Sequence, residues 1–108
     1  MNLKVSVLAL LFILGACAQL GLAPAKSFDE KLAYAYGTHT SVLQTATSAL
    51  ELGQITKDDA KQVLKLADES RSLLDAARMV GDPTVAQNKL VLATNILANL
   101  QAYLRAKQ

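Results

Sequence analysis

The stretch VGDPTV at residues 80–85 separates two long segments in which apolar residues recur at helical spacing. Aspartate is a favoured helix N-cap, proline is favoured at the first helical position, and glycine is favoured just beyond a helix end. The stretch therefore predicts that one helix ends near Val80, with Gly81 in the C′ position. It also predicts that Asp82 caps a second helix that begins at Pro83.

Two further boundaries lie on the N-terminal side of this stretch. Ser27, followed by Glu30 three residues later, forms a capping box that starts a helix, and Gly53 suits the C′ position at its end. Thr56 is a favoured N-cap, and the aspartates after it suit the positive end of a helix dipole. The predicted helices cover approximately residues 27–52, 57–80 and 83–106.

The apolar residues of each predicted helix fall on one face at 100° per residue, and no segment alternates with the period of a strand. Because the connections are short, neighbouring helices should be antiparallel. We therefore predict an all-α fold, an up-down-up antiparallel three-helix bundle over residues 27–108. The predicted inward faces are Phe28, Leu32, Ala35, His39, Val42, Leu43, Ala46 and Leu50; Ala60, Val63, Leu66, Ala67, Ser70, Leu73, Leu74 and Ala77; and Val85, Leu90, Leu92, Ala93, Ile96, Leu97, Leu100, Tyr103 and Leu104.

The N-terminal segment has the organisation of an export signal. Lys4 gives residues 1–4 a positive charge, and residues 5–14 follow without any charge. That apolar run is shorter than the approximately 20 residues that a membrane span requires. Residues 1–16 are therefore predicted to be a signal peptide, and residues 17–26 to form a short tether before the bundle.

The sequence Leu14-Gly15-Ala16-Cys17 resembles the lipobox of bacterial lipoprotein precursors. This resemblance implies that the precursor is cut between Ala16 and Cys17. It also implies that Cys17 carries a diacylglycerol and an N-acyl chain, and that no other cofactor is needed. Two or more acyl chains hold a protein stably at a membrane.

Ala18 follows the cysteine, and by resemblance to the Gram-negative sorting pattern it favours the outer membrane, facing the periplasm, over the inner membrane. Two alternatives remain open for the N-terminal segment. One is an ordinary secretory signal that is cut near Ala16-Cys17-Ala18, which would leave Cys17 as a free thiol. The other is an uncleaved anchor over residues 5–22, although Gly15, Gln19 and Gly21 interrupt it.

The overall composition excludes several classes of protein. The chain has 108 residues, one cysteine, one histidine and a formal net charge of +2. This length is that of one domain, and a single cysteine cannot form an internal disulfide framework. The small net charge gives no indication of a nucleic-acid partner. A zinc site needs three or four ligands, and the sequence offers no such spacing of His and Cys.

The individual polar residues give few indications of catalysis, and we expect the protein not to be an enzyme. His39 lies at the centre of an apolar face, which indicates a core histidine bonded to a hydroxyl group, with a pH-sensing role as the alternative. The adjacent acidic pairs Asp58-Asp59 and Asp68-Glu69 diverge by about 100° on a helix, so neither forms a catalytic dyad. The row Lys57, Lys61 and Lys65 is a candidate site for anionic ligands or lipid headgroups, although acidic residues interleave with it.

Charge is distributed unevenly among the predicted helices. No residue between Lys31 and Glu51 is charged, and none is charged between Lys89 and Arg105, whereas the second helix carries charges throughout. Small, uncharged residues at helical spacing are typical of close helix–helix contact surfaces. This pattern predicts an interaction face on the first and third helices, with simple solvent exposure of neutral residues as the alternative. The face comprises Tyr34, Gly37, Ser41, Gln44, Ser48, Val91, Asn95, Ala98 and Ala102.

The helical region is also similar to small, uncharacterised helical lipoproteins of Gram-negative bacteria, in the runs YGTHT (36–40) and LLDAA (73–77). That resemblance implies no particular activity. We expect a membrane-anchored lipoprotein that acts through contact with an envelope protein or a second copy of itself, with no nucleic-acid partner. The alternatives are a binding module for anionic envelope ligands and a prophage-type exclusion or inhibitor lipoprotein.

Overall fold

The computed structural model describes residues 27–108, which form three α-helices and, within that range, no strand. Helix α1 is Phe28–Glu51, α2 is Lys57–Met79 and α3 is Pro83–Lys107. The prediction of an all-α three-helix bundle is confirmed. The predicted signal peptide, the lipidation site Cys17 with the cleavage point after Ala16, and the tether lie outside the described residues.

Side-chain and backbone caps define the two ends of α1. The Ser27 hydroxyl accepts a hydrogen bond from the Glu30 amide at 3.1 Å. At the other end, the Gly53 amide donates to the Leu50 carbonyl and the Gln54 amide donates to the Ala49 carbonyl, at 3.1 and 2.8 Å. These two bonds form a Schellman motif, which requires Gly53 to take its left-handed conformation at φ +72°. A residue with a Cβ would be strained there.

Helices α2 and α3 begin at the two caps that the sequence predicts. The Thr56 side chain accepts a hydrogen bond from the Asp59 amide at 3.1 Å. The Asp82 carboxylate accepts from the amides of Thr84 and Val85 at 2.8 and 3.3 Å, and Pro83 occupies the first turn of α3. These bonds satisfy amide groups that have no partner inside their own helices.

Gly81 occupies the predicted C′ position, because Val80 is the C-cap of α2. Its φ is not positive, since Gly53 alone has a positive φ among the described residues. Val80 is extended, at φ −75° and ψ 139°. Asp82 is extended as well, because the residue before a proline is disfavoured in the helical region. The chain therefore leaves α2 through extended residues and needs no left-handed turn.

The core is a narrow seam with the spacing of a coiled coil. In each helix the buried residues are three and four positions apart in alternation, which is a 3.5-residue repeat and favours a left-handed supercoil. We assign heptad position a to Leu32, Ala60 and Leu90, so the buried residues occupy positions a and d throughout. They are Leu32, Ala35, His39, Val42, Ala46 and Ala49 in α1; Ala60, Val63, Ala67, Ser70, Leu74 and Ala77 in α2; and Ala86, Leu90, Ala93, Leu97, Leu100 and Leu104 in α3.

The predicted inward faces are too wide. The many alanines in the seam leave little bulk between the helices, so residues at the flanking heptad positions c, e and g stay at the surface. Of the residues predicted to be inside, Leu50, Leu66, Val85 and Leu92 are exposed. Five others are half-buried: Phe28, Leu43, Leu73, Ile96 and Tyr103. In the other direction, Ala49 and Ala86 are buried, although the predicted faces omit them.

Contacts along the helices give their directions. The short connection 52–56 joins the end of α1 to the start of α2, and Tyr36 in the first half of α1 bonds Asp75 in the last third of α2. The connection 80–82 likewise joins α2 to α3, and Asp59 lines a cleft together with Tyr103 near the end of α3. Each helix is therefore antiparallel to the next in sequence, which gives the up-down-up order. None of the three described helices is both long enough and apolar enough to span a membrane.

Candidate interaction surfaces

The polar residues in the core do not form a reactive site. Within residues 27–108, no group of three or more His, Cys, Asp or Glu side chains is placed to hold a metal ion. His39 is buried at an a position, as predicted. Its predicted hydroxyl partner is wrong, since His39 Nε2 has no hydrogen-bond partner among the described residues. The helix register places His39 level with Ser70, but the Ser70 hydroxyl donates to the Ala67 carbonyl of its own helix at 2.7 Å.

Each pair of helices is bordered by a surface of different chemistry, and the heptad positions explain why. On a helix, positions e and b lie on one side of the a/d seam, and positions g and c lie on the other. The e and b side of α2 faces α1, because Tyr36 contacts Arg71, Asp75 and Arg78 there. The g side of α2 faces α3, because Leu66 and Ile96 line the same cleft.

Between α1 and α2, four side chains form the Tyr36 cluster, which comprises Tyr36, Arg71, Asp75 and Arg78. The Tyr36 hydroxyl donates to the Asp75 carboxylate. Arg71 Nε lies 3.5 Å from Asp75 Oδ1. The guanidinium carbons of Arg71 and Arg78 lie 5.4 and 5.9 Å from the centre of the Tyr36 ring, within cation–π range. The cluster ties α1 to α2 on their exposed side.

These contacts shift the titration of both acidic groups in the Tyr36 cluster. The hydrogen bond from Tyr36 is the main cause that lowers the pKa of Asp75 below its ordinary value; burial opposes it, and the charge of Arg71 adds a smaller lowering effect. Burial raises the pKa of Tyr36, and the bond to Asp75 raises it further. The sequence analysis did not identify the cluster. The pair Arg71 and Asp75 at i, i+4 was visible in the sequence, but only the heptad register places Tyr36 against it.

Between α1 and α3 lies the predicted interaction face, here named the charge-free face. Ser41 and Thr45 of α1 line a cleft of about 210 Å³ together with Gln101 and Arg105 of α3. The c positions of α1 and the b positions of α3 therefore border the same side of the bundle, and the two predicted halves of the face flank it together. All nine of its residues are exposed: Tyr34, Gly37, Ser41, Gln44, Ser48, Val91, Asn95, Ala98 and Ala102.

Gly37 has no packing partner that explains its lack of a side chain. A Cβ added there would meet no atom within 4 Å, and φ is negative, so the backbone does not require glycine either. Mid-helix glycine costs about 1 kcal/mol relative to alanine. Tyr34, one turn before it, is 79% exposed. An exposed aromatic ring beside an unfilled glycine is a favourable arrangement for contact with another molecule.

Between α2 and α3 lies an apolar cleft of about 320 Å³, here named the α2/α3 groove. Val63 and Leu66 of α2 line it with Ile96, Leu100 and Tyr103 of α3, and its polar lining residues are Asp59, Gln62 and Asn99. Burial raises the pKa of Tyr103, and the neighbouring Asp59 raises it further. The sequence analysis assigned Leu66, Ile96 and Tyr103 to the core and thus did not identify this groove as a surface.

The candidate anionic-ligand row lies on the exposed side of α2. Lys57, Lys61 and Lys65 are all exposed. Lys61 and Lys65 border a surface depression whose other lining residues include Asp68 and Glu69. The acidic residues that interleave in sequence therefore also interleave in space, which offsets the positive potential of the row.

Comparison with known proteins gives no further assignment: no protein-family model, no curated protein and no solved structure matches this chain.

Proposed function

We propose that this protein is a lipid-anchored envelope lipoprotein whose helical bundle binds another envelope protein through the charge-free face. The lipobox-like sequence ending at Cys17 supports the anchor. Acylated at that cysteine, the bundle is held at the periplasmic side of the outer membrane by its N-terminus, because stable anchoring requires two or more chains. A tether of residues 17–26 leaves the surfaces of the bundle accessible to a partner.

The observation that supports the binding role most directly is the lack of charge between Lys31 and Glu51 of α1 and between Lys89 and Arg105 of α3, with Arg105 at the border of the face. The nine exposed residues of the charge-free face include neither acid nor base, whereas α2 of the same bundle carries charges along its length. Depletion of charge distinguishes the buried centre of protein interfaces from ordinary surface. Gly37, whose missing side chain nothing within 4 Å explains, lies within this face.

The chemistry of the described residues favours this role over the binding of an anionic ligand. The lysine row has Asp68 and Glu69 on its border, so a headgroup or a polyanion would meet charges of both signs. Attraction to an anionic surface adds about 1 kcal/mol per cation, and two carboxylates offset two such contributions.

Variants of the charge-free face test the binding role. The lipidated protein is captured from its native envelope after crosslinking, and its partner is compared among Gly37→Glu, Ala98→Glu and the control Ala33→Glu. We expect the first two to lose the crosslinked partner, because a carboxylate buried in an uncharged interface loses its hydration. Ala33 is also exposed on α1 but lies on the side that faces α2, so its variant should keep the partner.

The outcomes of this experiment separate binding from folding. Helical circular dichroism must show that all three variants are folded, and thermal melting must show that none is less stable than the unmodified chain; Gly37→Glu should melt somewhat higher, because glutamate has the better helix propensity. Retention of the partner by both Gly37→Glu and Ala98→Glu, or an equal loss with Ala33→Glu, would contradict the proposal. The anchor has its own test, since Cys17→Ser should abolish palmitate labelling and cleavage by lipoprotein signal peptidase. Unchanged processing of that variant would contradict lipidation.

A further inference from the structure

The α2/α3 groove continues beyond its central cleft as a mostly apolar strip along both helices, with the exposed Glu69 at a c position on its α2 border. Leu66 and Leu92 are 38% and 54% exposed, and Val85 is 39% exposed. Leu73, Ile96 and Tyr103 are half-buried. All six occupy c or g positions, which lie on the side of the seam where α2 and α3 face each other. Contiguous apolar surface on this scale marks an interaction site in a soluble domain.

The groove has a centre and two ends of opposite charge. Leu66 and Ile96 lie at about the same level, since both line one cleft, and Asp59, one heptad before Leu66, neighbours Tyr103, one heptad after Ile96. Asp59 precedes Leu66 by seven residues and Lys89 precedes Ile96 by seven residues. Because the helices run in opposite directions, the carboxylate and the ammonium lie at opposite ends of the groove, each about 10 Å from its centre at 1.5 Å per residue. Both occupy g positions, which face the middle of the groove.

The charges and the apolar centre of the groove are complementary to those of a second copy that is turned by a twofold axis. A twofold axis that lies in the face and crosses the helices at Leu66 and Ile96 exchanges the two ends of the groove. It brings Asp59 of one copy level with Lys89 of the partner subunit, and the reverse. The same axis sets each Leu66 and each Ile96 near its own symmetry mate. An interface in which one patch serves both subunits is the ordinary form of a homodimer.

The face that α2 and α3 present together is also large enough for a stable dimer interface. Helix α2 has 23 residues, so it is about 35 Å long. Two helices side by side, with axes about 8–10 Å apart, present a face about 20 Å wide. The product is about 700 Å², close to the roughly 800 Å² per partner of a standard stable interface.

We propose that the α2/α3 groove is a dimer interface that a second copy of this chain covers with the same groove, so that α2 and α3 of both copies form a four-helix arrangement. The surface is separate from the charge-free face, so the dimer leaves that face free to bind another protein. The proposal therefore does not depend on the proposed function. Gly37→Glu and Ala98→Glu should leave the dimer intact.

Sedimentation equilibrium of the purified full chain, in a density-matched neutral detergent and over a wide concentration range, tests the dimer. We expect a monomer–dimer equilibrium for the unmodified chain. Leu66→Glu should weaken the dimer at least about tenfold, because two carboxylates would meet at the apolar centre. Leu64→Glu is the matched control: Leu64 is a leucine of the same helix with 44% exposure, but it lies on the side that faces α1. That variant should dimerise like the unmodified chain.

A charge exchange tests the orientation of the two copies. Lys89→Asp should weaken the dimer several-fold, because it sets two carboxylates against each other at each end of the groove. Adding Asp59→Lys should restore most of the affinity, and the coupling is read from the double-mutant cycle. Disulfide formation gives a second test, in two variants that both also carry Cys17→Ser. Leu66→Cys should form a disulfide-linked dimer when it is oxidised with copper-phenanthroline, whereas Leu64→Cys should remain monomeric.

Three outcomes would overturn the proposal. The first is a chain that is monomeric at every concentration. The second is a dimer that Leu66→Glu leaves unchanged, since the contact would then lie on another surface. The third is an equal loss with Leu64→Glu, which would indicate a general effect of added charge. Circular dichroism of each variant confirms that the bundle is folded, so a monomeric Leu66→Glu that has also unfolded is replaced by Leu92→Glu, at a more exposed position of the same face.

Discussion

Helix α3 and the pair α1 and α2 contribute different kinds of side chain to the same seam. Four of the six seam positions in α3 are leucines, whereas half of the twelve seam positions in α1 and α2 are alanines, and these two helices also bury the polar residues His39 and Ser70. Each fully buried leucine contributes about 1.5–3 kcal/mol, so the leucines of α3 supply a large part of the hydrophobic stabilisation. Helices α1 and α2 bury more small side chains, beside Leu32, Val42, Val63 and Leu74, and carry the Tyr36 cluster at their exposed side.

This difference indicates that different interactions stabilise the contact between α1 and α2 and the contacts of α3. Alanines permit close approach of the backbones but bury little area, so the contact between α1 and α2 gains from the hydrogen bond and the ion pair of the Tyr36 cluster. The contact of α3 relies on leucines in the seam, and its remaining apolar side chains form the rim of the α2/α3 groove.

The largest effect should come from truncating a leucine of the α3 seam. Leu97 is 1% exposed. We expect Leu97→Ala to lower the free energy of unfolding by about 2–5 kcal/mol, because it removes buried surface and leaves a cavity. Leu92→Ala, on the same helix but 54% exposed, is the control and should cost under about 1 kcal/mol. Chemical denaturation measures both, and similar losses would contradict the assignment of the seam.

His39 should lower the stability of the part of the core that α1 and α2 form. Its Nε2 atom is buried without a partner among residues 27–108, and such a group loses its hydration without compensation. We expect His39→Leu to raise the free energy of unfolding by about 1–3 kcal/mol, since a side chain of comparable size replaces an unsatisfied polar one. Ser70→Ala should have a smaller effect, because the Ser70 hydroxyl is already bonded within its helix. A loss of stability in His39→Leu would show that the imidazole has a partner in solution.

Two glycines should respond to alanine with opposite signs. Neither Gly37 nor Gly53 has an atom within 4 Å of an added Cβ, but only Gly53 has a positive φ, at +72°. Gly37→Ala should stabilise the bundle by about 0.5–1 kcal/mol, through the better helix propensity of alanine. Gly53→Ala should destabilise it by about 1–2 kcal/mol, through strain in the left-handed conformation. Changes of the same sign, measured by thermal melting, would contradict the proposed conformations.

The sequence predicts the fold class and the caps well because both depend on local chemistry. Ser27, Thr56 and Asp82 accept the amide hydrogen bonds that their residue types favour at helix starts. The width of the core is not predicted, because it depends on how closely neighbouring helices approach. A stripe at 100° per residue includes Leu66 and Tyr103, whereas the alanine-rich seam has room only for positions a and d.

The candidate surfaces also differ in how far the sequence predicts them. The charge-free face follows from sequence, since missing charges are visible in the residues themselves. The Tyr36 cluster and the α2/α3 groove both depend on which side of α2 meets which neighbour. The 3.5-residue repeat determines which side of α2 faces which helix. The spacing of Leu32, Ala35, His39 and Val42 already shows this repeat in the sequence. Restricting each inward face to residues that are three and four positions apart in alternation, with Ala49 and Ala86 included, would have identified the register, and with it both surfaces.

The smallest effect should be the dependence of the contact between α1 and α2 on acid pH. The bond from Tyr36 and the charge of Arg71 lower the pKa of Asp75 below its ordinary value of 3.8. The folded state thus binds this proton more weakly than the unfolded state, so the contribution of Asp75 is present above about pH 4 and is lost as the pH falls below it.

Asp75→Asn keeps a neutral oxygen that accepts from Tyr36 but removes the titrating charge. We expect the unmodified chain to lose more stability than Asp75→Asn as the pH is lowered from about 5 to 3, with the two curves converging at the acid end. Asp68→Asn is the matched control, because Asp68 is exposed one heptad earlier on the same helix and lies outside the Tyr36 cluster. Denaturant titrations at each pH measure the slopes. If Asp75→Asn kept the acid slope of the unmodified chain, the charge of this carboxylate would contribute nothing to the contact between α1 and α2, and that contact would depend on the seam and on the other contacts of Tyr36.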